Sequence, residues 1–310
     1  MTDIIITEFM DEAAVDMLRA EFDTHYDPAL VDDPETLRGM AASALALVVR
    51  NRTQVRGALL ETAGRLECVG RLGVGLDNID TDACGARGVA VYPATGANDL
   101  AVAEYVISNA FSLLRDAYLY SHQVIAGEWP RAALIGRELS GKVMGLVGFG
   151  AIAREVSARA QALGMSVIAY DPFLPADHPA WQTVGRRSLE TLVGEADVVS
   201  LHTPLTAETR HMIDATLLAT MKPGGILINA ARGGVVNEHA LCDALRAGRL
   251  AGAALDVFEE EPLSATAGRK YEGIRNLVLT PHIAGVTAES NVRVSRVTAE
   301  TVLKHLRGTR

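Results

Sequence analysis

One glycine-rich segment, KVMGLVGFGAIA at residues 142–153, constrains the fold of this 310-residue chain more than any other feature. A short apolar run predicts a strand, the pattern GxGxxA follows, and a helical pattern begins at once. Gly148 allows a tight turn, Gly150 lets the backbone approach a pyrophosphate, and small Ala153 lets helix and strand pack closely. The N–H groups and dipole at the helix N-terminus favour negatively charged phosphates. The predicted dinucleotide contacts in this segment are Gly148, Gly150, Ala151 and Ile152.

A carboxylate stands where a ribose-binding acid is expected. The strand-like run Val167–Tyr170 ends in Asp171, at the spacing of about 20 residues that such acids have. Its carboxylate can accept hydrogen bonds from a ribose hydroxyl group and would repel a 2′-phosphate. Pro172 and Phe173 follow, so no arginine stands beside it. The sequence therefore predicts NAD rather than NADP. The alternative is that Asp171 only makes a turn before Pro172.

Strand-like and helix-like patterns alternate along the chain, which predicts an α/β fold with parallel sheets. Helical spacing is clear at Ala151–Leu163 and Glu238–Ala247. The predicted strands are Ile4–Thr7, Leu45–Val49, Val143–Val147, Val167–Tyr170, Val198–Leu201, Ile226–Asn229 and Val278–Thr280. Because the glycine-rich segment begins near residue 143, the residues before it must form another α/β lobe.

Two helical patterns are longer than the others, Asp99–Tyr120 and Ala288–His305. The first is long enough to bridge two lobes or to form a subunit contact, and the alternative is a buried core helix. The second ends the sequence. If the middle of the chain is one domain, this last helix must return to the first lobe.

Charge and cysteine content narrow the function classes. The net charge is −9, from 29 Lys+Arg and 38 Asp+Glu, so neither nucleic acid nor an anionic membrane surface is expected as a partner. The sequence shows no apolar run of the roughly 20 residues that a membrane span needs, and its acidic N-terminus is unlike a secretory signal. Three cysteines without metal-ligand spacing predict free thiols in the cytoplasm and no metal site.

Three polar residues, Arg232, Glu261 and His282, each follow a strand-like apolar run. We expect them to converge, since ligands bind at the carboxyl ends of parallel strands. A guanidinium can hold a carboxylate, an imidazole can take or return a hydroxyl proton, and a carboxylate behind the imidazole fixes its tautomer. This combination suits the oxidation of a 2-hydroxy acid or the reverse reduction.

Each of these residues also has a simpler interpretation. Arg232 could hold a phosphate or be a surface charge. Glu261 belongs to the acidic run Glu259–Glu261, which by itself is typical of a solvated face. His282 follows Pro281 and could be a turn histidine bonded to backbone. The order and placement of all three favour the functional interpretation.

Several motifs together resemble the D-2-hydroxyacid dehydrogenase family, in particular its phosphoglycerate-dehydrogenase-like branch. They extend from about residue 45 to about residue 290 without a large gap. The matching segments are GRLGVGLDNID (70–80), VAEY (102–105), LSGKVMGLVGFG (139–150), HTPLTAET (202–209), MKPGGILINAARGGVV (221–236), DVFEEEP (256–262) and PHIAG (281–285).

The resemblance implies a Rossmann-type doubly wound parallel sheet inserted into a second, flavodoxin-like α/β domain. The substrate domain would be discontinuous, comprising residues 1–96 and 287–310, and the NAD-binding domain would span 97–286. Members of the family are usually homodimers, with the long helix of Asp99–Tyr120 at or near the interface.

The resemblance also implies residue roles. Arg232 would bind substrate, Glu261 would pair with His282, and His282 would be the acid/base that also contacts both ligands. The backbone amides of Val74 and Gly75 would receive the substrate carboxylate. Further NAD contacts would be His202, Thr203, Pro204, Ala230, Arg232, Asp256, His282 and Gly285.

The segment VRNRT (49–53) follows a first-lobe strand, and the resemblance places this loop by the substrate. Arg50 and Arg52, with Arg71 nearby in sequence, suit a substrate with a second anionic group, of which 3-phosphoglycerate and 3-sulfolactate are the leading examples. The alternative is that Arg50 and Arg52 are ordinary surface residues. Other functions left open are a glyoxylate or hydroxypyruvate reductase and a non-enzymatic, NAD-sensing corepressor-like protein. Formate dehydrogenation is disfavoured because it needs no acid/base pair.

Overall fold

The computed structural model describes residues 2–116 and 120–309. The chain forms two compact units. The first contains the residues up to Asn98 together with those from Val286 onward, and the second is Asp99–Gly285. The assignment of these units as a substrate domain and an NAD-binding domain stays a prediction at this point.

The first unit contains a five-stranded parallel sheet in the order β2-β1-β3-β4-β5. Its strands are β1 (Ile4–Ile6), β2 (Thr24–Tyr26), β3 (Ala46–Val49), β4 (Cys68–Arg71) and β5 (Ala90–Pro93). Its N-terminal helices are α1 (Glu12–Arg19), α2 (Pro34–Ala41), α3 (Gly57–Thr62) and α4 (Thr81–Ala86). The order is that of flavodoxin-like folds, as the resemblance implied.

The second unit contains a seven-stranded parallel sheet. Its strands are β6 (Val143–Val147), β7 (Ser166–Tyr170), β8 (Gly185–Arg186), β9 (Val198–Leu201), β10 (Gly225–Asn229), β11 (Leu250–Leu255) and β12 (Leu277–Leu279). Its helices are α5 (Asp99–Arg115), α6 (Ser121–Ile125), α7 (Ala151–Ala162), α8 (Leu189–Glu195), α9 (Ala215–Thr220), α10 (Glu238–Arg246) and α11 (Ala265–Gly268). The order β12-β11-β10-β9-β6-β7-β8 is the doubly wound order with one added strand. The sheet order reverses at β6, so ligands are expected near its carboxyl end.

The last helix, α12 (Ala288–Gly308), packs on α1 and β4 of the first unit. Thr287 begins it with a capping box, accepting a hydrogen bond from the Ser290 amide. Gly70 of β4 provides room, because a Cβ there would lie 2.8 Å from side-chain atoms of Thr298 and Val302. A glycine in the sheet therefore allows the close approach that brings the chain end back to the first lobe.

The long central helix, α5, fits the alternative of a core helix. Its apolar face, including Val106 and Leu113, is buried and packs on α7, β10 and β11 of the same unit. The predicted helix extended to Tyr120, and residues 117–119 lie outside the described part of the chain. Among the described residues, no helix is both long and apolar enough to cross a membrane.

Candidate active site

The glycine turn after β6 has the predicted backbone form. Gly148 has a φ of +86°, and a Cβ there would lie 2.6 Å from the backbone oxygen of His202. Only glycine fits both conditions. At Gly150, by contrast, a Cβ would meet no atom within 4 Å, and this N-cap of α7 provides no side-chain acceptor for the first helical N–H groups. The helix start at Ala151 and Ile152 therefore offers backbone donors beside open space.

Asp171 connects this turn to the end of β7. One carboxylate oxygen accepts the N–H of Phe149 at 2.9 Å, and the other accepts those of Phe173 and Leu174 at 2.9 and 3.1 Å. Two carboxylate oxygens offer about four acceptor positions, so capacity for a ribose hydroxyl group is left. The fixed carboxylate is compatible with the predicted role.

The segment after β9 adds a neutral imidazole and a buried hydroxyl group. Burial lowers the pKa of His202 to about 4, and its Nε2 lies 3.0 Å from the Ser200 hydroxyl. Thr203 Oγ1 is buried without a hydrogen-bond partner among the described residues, which is costly unless a ligand satisfies it. Pro204 is exposed and Ala230 is half-buried. Together with the open helix start, the unpartnered hydroxyl group fits a bound dinucleotide.

Arg232 lies in a turn after β10 that is fixed by its neighbours. The buried Asn229 side chain accepts the Ala231 N–H at 3.1 Å and donates to the Arg232 carbonyl at 2.9 Å. At Gly233, a Cβ would lie 1.6 Å from the Phe258 carbonyl oxygen. The turn therefore packs backbone to backbone against the segment that carries Glu261, and only glycine permits that contact.

Glu261 and His282 form the expected pair. His282 Nδ1 lies 2.7 Å from Glu261 Oε2, while Glu261 Oε1 accepts the Phe258 N–H at 2.9 Å. Partial burial raises the pKa of the Glu261 carboxyl, but the hydrogen bonds from His282 and Phe258 and the nearby charges of His282 and Arg232 outweigh it, so the pKa lies below its usual value. A carboxylate that stays ionised can accept a hydrogen bond from the Nδ1–H group of the imidazole. The other ring nitrogen, Nε2, is then left for proton exchange.

Asp256 positions the loop that carries His282. This carboxylate is 1% exposed and accepts the N–H groups of Ile283 and Ala284 at 2.8 and 2.7 Å. Its backbone oxygen accepts the His282 N–H at 2.8 Å. His282 has a φ of +56°, a strained conformation that these bonds maintain. The predicted contact of Asp256 with NAD stays a prediction, as does that of half-buried Gly285.

Two further residues support this loop and were not selected from the sequence. Thr280 donates to Asp256 Oδ1 at 2.6 Å, so Tyr105, 2.6 Å from the same hydroxyl group, must be the donor to Thr280. Burial raises the pKa of the Tyr105 hydroxyl. Tyr105 lies in the VAEY motif, which could have drawn attention to it, whereas its partner is distant in sequence.

The three consecutive glutamates have different surroundings. Glu259 donates its N–H to the buried Glu238 carboxylate at 2.7 Å and accepts the Glu238 N–H at 3.2 Å. Glu260 is exposed, as the alternative of a solvated face expects. Glu261 alone reaches His282. An acidic run in the sequence thus contains one residue bonded to buried Glu238, one that is solvated and one that can assist proton transfer.

In the first unit, the predicted substrate loop is held by Glu8, whose carboxylate accepts the N–H groups of residues 50–53. Arg50 donates to the Asn291 side chain at 2.7 Å. Arg52 instead pairs with Asp32, so its charge is already compensated. Arg71 donates to the Leu72 carbonyl at 2.9 Å. The predicted contributions of Val74 and Gly75, in the half-buried loop after β4, stay predictions.

The described residues contain no group of three or more His, Cys, Asp or Glu side chains that could hold a metal ion. Cys68, Cys84 and Cys242 are buried free thiols. Burial raises the pKa of the Cys68 thiol to about 12. These cysteines are therefore unsuited to nucleophilic chemistry at neutral pH.

Known proteins resemble this chain in sequence and in fold. Residues 107–284 match the family model described as D-isomer specific 2-hydroxyacid dehydrogenase, NAD binding domain. The chain is 56% identical over 307 residues to the (S)-sulfolactate dehydrogenase of Chromohalobacter salexigens, covering 99% of each protein.

Two further relatives widen the comparison. The chain is 41% identical over 308 residues to D-3-phosphoglycerate dehydrogenase 2, chloroplastic, of Arabidopsis thaliana, covering 98% of this chain and 48% of that protein. It thus spans about half the length of that relative. A crystal structure of D-lactate dehydrogenase from Aquifex aeolicus, complexed with NAD and lactic acid, has a TM-score of 0.86 at 27% identity, covering 99% of this chain and 96% of that one.

Proposed function

The chain belongs to the D-isomer specific 2-hydroxyacid dehydrogenase family, and on this premise we propose that its substrate is a small 2-hydroxy acid with a second anionic group. The family expected from the motifs is confirmed, and with it an NAD-dependent oxidoreductase of 2-hydroxy acids. The similarity to an (S)-sulfolactate dehydrogenase over nearly the full length of both proteins supports a sulfonate as that group. Similarity to a phosphoglycerate dehydrogenase keeps phosphate as the second candidate.

The Glu261–His282 hydrogen bond of 2.7 Å is the observation that carries the proposed mechanism. In the oxidation direction, His282 Nε2 takes the proton of the substrate hydroxyl group, and in reduction it returns it. The ionised Glu261 holds the Nδ1 proton and stabilises the imidazolium that forms. Bound NAD accepts or supplies the hydride.

The cofactor would be held by the start of α7, by Asp171 at the ribose and by the segments around Thr203 and Ala230. Arg232, at the carboxyl end of β10, would hold the substrate carboxylate or polarise the carbonyl that forms. Its charge also favours the ionised form of Glu261, so the guanidinium contributes to the acid/base pair as well as to binding.

Further recognition of the substrate is proposed for the residues that the family resemblance implied. The amide groups of Val74 and Gly75 would bind its carboxylate, and Arg50 would bind the second anionic group. Arg52 is a weaker candidate than the sequence indicated, since Asp32 already neutralises it.

We also propose a homodimer, as the family resemblance implied, and a cytoplasmic location, as the composition indicated. A segment of the second unit supports self-association, because Ile125, Trp129 and Ile135 are 87%, 75% and 83% exposed, and large exposed apolar side chains favour protein contacts. The buried free thiols suit a reducing compartment. Sedimentation analysis that gives a monomer at micromolar concentration would contradict the dimer.

The test is a substrate panel with NAD⁺, following the appearance of NADH. (S)-Sulfolactate and 3-phosphoglycerate are compared with malate, lactate and glycerate, and hydroxypyruvate and glyoxylate are tried with NADH. We expect kcat/KM for one of the acids with a sulfonate or phosphate to exceed that for lactate by about a hundredfold, as a desolvated ion pair provides. Equal rates for lactate and the dianionic acids would overturn the substrate proposal. Tight NADH binding without any turnover would favour an NAD sensor.

A further inference from the structure

Glu8 is a buried charge that the reaction does not use. It follows β1, is 5% exposed, and places both carboxylate oxygens in the loop after β3. Oε1 accepts the N–H groups of Arg50 and Thr53 at 2.9 and 3.1 Å. Oε2 accepts those of Asn51 and Arg52 at 3.3 and 3.1 Å. One side chain thus accepts hydrogen bonds from four consecutive backbone N–H groups.

Consecutive N–H groups that point to one place form a concave binding position for anions. In this loop the anion is part of the protein, so a substrate sulfonate or phosphate cannot take these donors without displacing a buried carboxylate. Among residues 50–53, the cationic group that an anion in solution could use without breaking an ion pair to Asp or Glu is the guanidinium of Arg50, because Arg52 pairs with Asp32.

The Arg50 side chain is itself held in place. Its Nη2 donates to Asn291 Oδ1 at 2.7 Å, and its guanidinium carbon lies 5.9 Å from the centre of the Phe9 ring. Burial lowers the pKa of Arg50, and the charge of Glu8 opposes this shift. The guanidinium therefore depends on Glu8 twice, for the backbone that carries it and for the charge that stabilises it.

We propose that Glu8 is a positioning residue that fixes the Arg50 loop and thereby determines the preference for substrates with a second anionic group. The proposal rests on the proposed function, in which Arg50 binds that group. In this role Glu8 acts through the backbone of residues 50–53. It holds the loop in the conformation in which the Arg50 guanidinium donates to Asn291 and is oriented to bind the anionic group of the substrate.

The experiment compares Glu8→Gln, Glu8→Ala and Arg50→Ala with a dianionic acid from the panel and with lactate. Glu8→Gln keeps one acceptor oxygen but turns an amide NH2 toward one of the two pairs of N–H groups that the carboxylate accepts. We expect KM for the dianionic acid to rise about tenfold or more in each variant, with kcat changed less than about threefold and KM for lactate little changed. The NADH dissociation constant should also stay constant.

A double variant separates positioning from general damage. If Glu8 acts through Arg50, adding Glu8→Gln to Arg50→Ala raises KM for the dianionic acid no further, since coupled residues are non-additive. Additive losses, or equal losses for lactate and the dianionic acid, would overturn the proposal. Asp32→Asn is the matched control: it breaks the exposed ion pair of Arg52 without touching Glu8 or Arg50, and should raise neither KM value by more than about twofold.

Asn291→Ala keeps the test decisive if the Glu8 variants fold poorly, because it removes the guanidinium partner while the N–H groups of residues 50–53 keep their acceptor. We expect KM for the dianionic acid to rise about threefold to tenfold, and an unchanged KM would contradict the presentation of Arg50 from this loop. A wild-type enzyme without any preference for dianionic acids refutes the proposed function. A preference that survives in Glu8→Gln refutes only the role of Glu8.

Discussion

Two strand-to-loop turns in this protein use the same backbone chemistry in opposite ways. After β6 in the second unit, Gly150 and the start of α7 leave N–H groups without a side-chain cap, beside open space. After β3 in the first unit, Glu8 accepts the four N–H groups of residues 50–53. The difference teaches that backbone N–H groups in a turn are available to an anionic ligand only where no carboxylate of the protein already accepts them.

The carboxylates of the two units differ in the same way. Both oxygens of Glu8 accept backbone N–H groups, which do not titrate. Glu261 uses one oxygen for the Phe258 N–H and the other for the titratable imidazole of His282. The first carboxylate therefore has no titratable hydrogen-bond partner and holds a conformation, whereas the second can follow the protonation of its partner during a reaction.

The largest effect that would test this contrast is expected for His282→Asn. Loss of the acid/base should lower kcat by about 10²–10⁴-fold, while the NADH dissociation constant stays unchanged because asparagine keeps a polar group of similar size. Steady-state kinetics and a fluorescence titration with NADH measure the two quantities. Turnover within a factor of about three of wild type would remove His282 from the mechanism. Glu260→Gln, in the exposed part of the acidic run, is the control.

A pair of glycine variants tests the open turn itself. Gly148→Ala should reduce the free energy of unfolding by about 3 kcal/mol or more, because it combines a positive φ with a backbone clash. Gly150→Ala should leave that free energy nearly unchanged, since its Cβ faces open space, yet weaken NADH binding. Denaturant unfolding and NADH titration separate the two outcomes. Equal losses of stability would mean that the turn is not open at Gly150.

The smallest effect concerns pH and the neutral imidazole beside the turn. The folded-state pKa of His202 is about 4, against an ordinary 6.5, so the unfolded chain takes up a proton first as the pH falls. The contribution of His202 to stability is therefore complete above the ordinary value and is lost as the pH falls between these two pKa values, an effect on the order of 3 kcal/mol. His202→Gln should flatten this part of the stability profile in urea unfolding. Parallel profiles for variant and wild type would contradict the buried neutral ring.

Most elements could be predicted where the local pattern is strong. The predicted strands correspond to β1, β3, β6, β7, β9, β10 and β12 with ends shifted by a residue or so. The strands that were not predicted include β2 (THY) and β4 (CVGR). Their short segments contain polar residues or glycine, so neither apolar runs nor alternation mark them, and they are strands because their neighbours in the sheet provide partners.

In the candidate site, too, the features that could be predicted are the ones marked by a local sequence pattern. Arg232, Glu261 and His282 could be selected because each follows an apolar strand. The contacts that support these residues could not be predicted, because they join segments far apart in the chain. They are the packing of Gly233 against Phe258 and the hydrogen bonds from Tyr105 to Thr280 and from Thr280 to Asp256. The sequence likewise predicted that Arg50 and Arg52 both bind an anion. Because Arg52 pairs with Asp32, Arg50 is left as the stronger candidate.

By itself, the sequence determined what depends on near neighbours: the left-handed glycine turn, the strand and helix periodicities, and the order of the three reactive side chains. The tertiary structure decided which backbone donors remain open, which of three adjacent glutamates reaches the histidine, and which arginine is already paired. The reason is physical, because local conformation depends on neighbouring residues, whereas a hydrogen bond such as that from Arg50 to Glu8, 42 residues away in sequence, exists only once the sheet has set β1 beside β3.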